Sequence, residues 1–133
     1  MGTEVGYGYT RTLPGVGYDE AVTRITEALK KEGFGVLTRI DVQETLKQKL
    51  GIDFRRYLIL GACNPQLAHR ALTVEPGVGL VLPCNVVVSE GPRGAVVQVI
   101  KPEAMLGFIG RKELEPIAQE ADARLRRALD QVG

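Results

Sequence analysis

The stretch RRYLILGACNPQLAHRAL, residues 55–72, changes its periodicity halfway along. Leu58, Ile59 and Leu60 follow one another without interruption, which predicts a strand over RRYLILGAC buried on both faces. Asn64 then stands where a helix cap belongs. Pro65 fits the first helical position, where no amide hydrogen is needed. QLAHRALTV continues as a helix that ends before Pro76. Its helical spacing puts Leu67, Ala68, Ala71 and Leu72 on a buried face and turns His69 away from it. A buried strand running directly into a capped helix calls for a sheet covered by helices.

A second stretch repeats part of the first. GLVLPCNVVV begins at Gly79, and the chain's two cysteines, Cys63 and Cys84, are each followed by one of its two asparagines, Asn64 and Asn85. Val78 to Ser89 and Ala95 to Ile100 read as two strands around the turn EGPRG. Pro83 cannot donate to a ladder, so an edge or a bulge is expected there. Asn85 falls on the strand face opposite Cys84.

Working outward, Val5, Tyr7 and Tyr9 alternate with small or polar residues as a first strand does, and LPGVG follows as a turn. Tyr18 to Glu32 has helical spacing and stops at Gly33. Phe34, Val36, Thr38 and Ile40 alternate as a second strand. Asp41 can cap the short helix VQETLKQKL, with Glu44 as its reciprocal partner and Gly51 as its stop. Beyond the hairpin, KPEAMLGFIG reads as a helical turn and a loop. Apolar residues at 114, 117, 118, 121, 125, 128, 129 and 132 then define an amphipathic closing helix, with Pro116 tolerable only in its first turn. The expected fold is α+β. It is a single two-layer domain over residues 1–133, with a mainly antiparallel sheet of about five strands, helices on one face and a long C-terminal helix. Val5 to Tyr9 and the Pro83 region are the expected sheet edges, which a homodimer would cover.

Composition narrows the function classes. Seventeen basic and 16 acidic residues give a formal charge of +1 over 133 residues, so there is no electrostatic footprint for nucleic acid or an anionic membrane. No apolar run approaches the ~20 residues of a membrane span. MGTEVGYGYTRT lacks the basic start and apolar stretch of a signal peptide, and a cytoplasmic location is expected. Two cysteines are too few for a disulfide scaffold. Scarce Asn and Cys, no Trp and abundant Arg, Glu and Val suit a heat-adapted protein. None of the GxG pairs continues into a dinucleotide fingerprint. Arg55 and Arg56 read as solvated strand-start residues rather than a phosphate clamp.

IDVQETLKQKLGIDFRRYLILGACNPQLAHRAL, followed by EPGVGLVLPCNVVV, a hairpin and a closing helix, resembles the family catalogued as domain of unknown function 302. The resemblance runs from about Ile40 to the C-terminus, and ACNP and LPCN are its specific part. It implies a small α+β domain, often a homodimer, with no assigned reaction. The family-like positions are Asp41, Lys49, Tyr57, Cys63, Asn64, Pro65, Pro83, Cys84 and Asn85.

Four roles compete for the Cys-Asn segments. As a binding site for a small molecule, Cys63 and Cys84 would line a pocket, Asn64 and Asn85 would position donors, and Tyr57 and Lys49 would stand further out. As a thiol-dependent enzyme or redox sensor, Cys63 would be the nucleophile and Cys84 its resolving partner, although there is no CxxC and no evident base. As a metal site, Cys63, Cys84 and His69 fall one ligand short of a closed zinc site and His69 faces outward, so neither metal nor cofactor is expected. In a purely structural role, each Cys fills core and each Asn satisfies local backbone. The binding or regulatory module is the preferred reading.

Overall fold

The protein is seen in a computed structural model, described over residues 5–133; residues 1–4, the start of the stretch searched for a signal peptide, lie outside the described residues. Five strands form one antiparallel sheet: β1 (Gly8–Pro14), β2 (Gly35–Asp41), β3 (Tyr57–Cys63), β4 (Cys84–Ser89) and β5 (Gly94–Ile100), in the order β1-β5-β4-β3-β2. Helices α1 (Tyr18–Lys31) and α5 (Glu115–Gln131) pack on the sheet and on one another, α3 (Pro65–Val74) packs against α5, and α2 (Val42–Leu50) lies beside β2 and β3. A short helix α4 (Pro102–Leu106) leads through two 3₁₀ turns into α5.

Alternation sorts the strands onto two faces. Leu58, Leu60, Ala62, Cys84, Val86, Val88, Val97 and Val99 are buried with Ile25, Leu29, Leu125 and Leu129 of the helices. Tyr9 and Arg11 of β1 fall on this inner face and reach α5, the Tyr9 hydroxyl donating to Asp122 at 2.7 Å and Arg11 pairing with Asp130 at 2.7 Å. The outer face carries Tyr57, Ile59, Val87, Asn85 and Ile40, half-buried or exposed.

The capping residues stand where expected, although for α2 only the Asp41 half of the reciprocal pair with Glu44 is seen among the described residues. Asp41 accepts from the Glu44 amide at 3.0 Å, and Gly51 closes α2 at φ 67°. Asn64 accepts from the Leu67 amide at 3.1 Å, Pro65 opens α3, and Pro116 sits in the first turn of α5. Gly33, at φ 84°, ends α1 in the left-handed region that favours glycine.

Four expectations are corrected. The first strand begins at Gly8, with Val5 making only an isolated bridge, and extends through Leu13 and Pro14, because β5 offers a full ladder as far as Gly94. The strand expected over Val78 to Ser89 is shorter: Pro76–Val81 is a 3₁₀ helix, and β4 starts at Cys84. Pro83 therefore lies just outside the ladder, after a cis Leu82–Pro83 peptide, and β4 is a central strand flanked by β3 and β5. The sheet edges are β1 and β2, so the Pro83 region is not one of them; the one register shift in the ladder falls at Leu37 of β2. The run Leu58 to Leu60 is covered on one face only, since Ile59 is half-buried on the other.

Candidate functional site

β3 and β4 run antiparallel side by side, and their register pairs Ala62 with Cys84 and Gly61 with Asn85. This brings ACNP and LPCN together from segments about twenty residues apart. Both line a narrow apolar slot of about 40 Å³ between the end of the sheet, α3, α4 and α5. Cys63, Asn64, Pro83 and Cys84 contribute to its wall. Phe34, Leu67, Ala71, Met105, Ile117 and Ala121 supply most of the remainder.

The register also separates the two cysteines. Cys84 is opposite Ala62, and Cys63 is one position further on, so strand alternation assigns the two side chains to different faces. Cys84 belongs to the buried face and Cys63 is partly exposed; both are free thiols. Burial pushes the Cys84 thiol up to about 12, with a smaller contribution from the nearby Cys63. Burial alone raises the Cys63 thiol. Neither is an activated thiolate at neutral pH.

Asn64 is almost wholly buried, and its side chain is committed to the α3 cap. A side chain at Gly33 would lie 2.8 Å from Asn64 Nδ2, so that glycine is fixed by both its φ and its neighbour. Gly61 leaves a notch on the outer face. A Cβ there would overlap Thr38 Oγ1 and come within 2.7 Å of Pro83 Cγ.

The remaining sequence candidates lie elsewhere. Asn85 is exposed on the outer face, across from Gly61. Tyr57 is at the opposite end of β3 from Cys63, roughly 20 Å away at strand rise, with its ring 6.1 Å from that of Phe54. Lys49 is exposed on α2. His69 is exposed on α3, and among the described residues no cluster of three or more His, Cys, Asp or Glu could hold a metal. Sequence reasoning missed Phe34, Met105, Leu106, Ile117 and Ala121. Their apolar spacing marked them as core, which most of their surface is.

A larger groove of about 510 Å³ opens on the other side of α4, against the first half of α5. Leu106 lines both cavities.

A family model described as domain of unknown function DUF302 matches residues 9–132. The crystal structure of an uncharacterized conserved DUF302 protein from Bacillus stearothermophilus superposes with a TM-score of 0.88 at 36% sequence identity, over 97% of this chain and 100% of that chain. No curated protein matches the chain.

Proposed function

The chain belongs to the DUF302 family, whose function is unknown, and from that premise we propose that it is a small-ligand-binding or regulatory module with its site where ACNP and LPCN converge. One observation carries this reading: two segments distant in sequence line the same slot, with Cys63, Asn64 and Cys84 in its wall and Asn85 outside it. The slot holds about 40 Å³, against the 300–1,000 Å³ of ordinary ligand pockets, so it seats one compact apolar group of a few heavy atoms. Asn64, already bonded to the α3 amide, shapes the wall rather than greeting the ligand.

The thiol reading gains less support, because both thiols are held protonated and strand alternation points them apart. Membership of the cytoplasm and a homodimeric state are part of the same proposal. Among the described residues, no helix is long and apolar enough to cross a membrane.

The test combines native mass spectrometry of gently purified protein with heteronuclear NMR, using isopropanol, isobutyrate and cyclopentanol as probes. A retained mass, or saturable shifts at the Leu67, Ala71 and Ala121 amides that Ala68→Leu abolishes, supports the reading. A clean apo mass together with no probe-induced shift at those amides rejects it.

A further inference from the structure

The groove beyond α4 has the size and the charge arrangement of a second site, independent of the slot. Its volume, about 510 Å³, lies within the range of metabolite pockets. Buried Leu106, Leu114 and Ala118 form its apolar floor. Gly107 and Gly110 contribute no side chain and leave it open.

The charges on its walls divide into committed and free. Arg111 is held by Glu75 at 3.2 Å and Glu113 at 3.4 Å. Asp122 accepts the Tyr9 hydroxyl at 2.7 Å and lies 3.8 Å from Arg126. Among the described residues, the side chains of Lys112, Glu103, Glu115 and Gln119 have no hydrogen bond or ion pair. One free cation therefore shares the groove with two free carboxylates and an amide. A purely anionic ligand would face two carboxylates, and a purely cationic one would leave Lys112 unmatched.

We propose that this groove binds a small zwitterion of the α-amino-acid or short-peptide class. Its carboxylate meets Lys112, its ammonium meets Glu103 and Glu115, and an apolar side chain lies on Leu106, Leu114 and Ala118. Each charge contact is exposed and individually weak, so recognition needs both ends of the ligand at once.

The experiment is calorimetric titration of the full chain with L-leucine and dileucine. 3-Methylbutylamine and 4-methylpentanoate serve as the analogues that lack one charge. The expected result is saturable binding of at least one zwitterion, weakened by salt, with both single-charge analogues about tenfold weaker or more. Gly107→Phe is the blocking variant. Gly107 has φ −65° and ψ −36°, and a Cβ there meets nothing within 4 Å, so the ring fills the groove without backbone strain. It should abolish binding at an unchanged melting temperature. Lys112→Gln should weaken the zwitterions but not the amine. No saturation by either zwitterion at millimolar concentration, equal binding of a single-charge analogue, or full binding by folded Gly107→Phe overturns the proposal. Shifts at Leu67, Ala71 and Ala121 report the slot separately, so either site can fail alone.

Discussion

Cys84 and Cys63 differ in what surrounds their sulfur, and that difference is measurable. Cys84 is buried with its thiol pushed up to about 12, so it resists alkylation near neutral pH until the protein unfolds. Cys63, partly exposed and also raised, reacts but more slowly than a free thiol; fast labelling of either would contradict this picture. Linkage gives a second readout. The folded pKa of Cys84 exceeds the unfolded one, so its contribution is fully present below the ordinary thiol range and is lost as pH climbs towards about 12. Urea unfolding across alkaline pH should show stability falling with a slope of up to ~1.4 kcal/mol per pH unit from this group, and Cys84→Ala should remove that part. Asn64→Ala removes the α3 cap and leaves the Leu67 amide without its acceptor, a loss of about 1 kcal/mol in chemical denaturation. Cys63, Asn64 and Cys84 were legible in the sequence because an unusual residue pair occurs twice. Asn85 belongs to the same doubled pair but alternation turns it to the outer face, while Tyr57 and Lys49, which rest on the family resemblance, lie away from the slot through strand length and helix exposure.

Elements were legible wherever a cap or a period marked them. The α5 pattern is the clearest: Ile117, Ala118, Ala121, Leu125, Ala128 and Leu129 are all buried. Ion pairs reinforce its outer side, Glu120 bridging Arg70 and Arg124, and Arg127 meeting Glu32 at 2.9 Å. The hydrogen bond from Arg70 is the main cause that holds the Glu120 carboxyl below its usual range. Exposed pairs like these contribute little individually, so the apolar stripe is what holds the helix in place. Leu125 is fully buried, and Leu125→Ala should destabilise by ~2–5 kcal/mol; a loss under ~1 kcal/mol would mean that the stripe is not the anchor. β4 is shorter than its sequence suggests because apolar residues over 78–82 resemble a strand. Pro76, Gly77 and Gly79 instead permit a 3₁₀ turn, which buries Val78 and leaves Leu80 exposed. The connector after that turn, Leu82 and Pro83, and α4 supply part of the slot wall, and local patterning does not show where a short connector will pack.

At the scale of the whole molecule, the described residues cover the outer sheet face only in part: Ser89 and Val96 are buried there, and their neighbours towards β2 are not. Helices α1, α3 and α5 cover the inner face. Ile59, Val87 and Tyr57 are half-buried on the outer one, beside Ile40, which is 49% exposed. Five strands of about seven residues make a face roughly 24 Å by 23 Å, which with its flanks approaches the ~800 Å² per partner of a standard interface. Edge pairing through β2 is less favourable, because the register shift at Leu37 interrupts the ladder there. A second copy laid against the outer face buries these residues without needing any new element, and a self-matching patch of this kind suits a twofold dimer. Light scattering after gel filtration should therefore give twice the 14.4 kDa chain mass. Ile40→Glu places a charge among the apolar residues at the β2 side of that contact while touching nothing in the core, so it should yield a folded monomer. A Leu37→Glu variant controls for the β2 edge: Leu37 is 68% exposed at the bulge, outside the proposed contact, and the dimer should survive it. A wild-type monomer at all concentrations rejects the dimer, and a dimer lost only in Leu37→Glu moves the contact from the face to the edge.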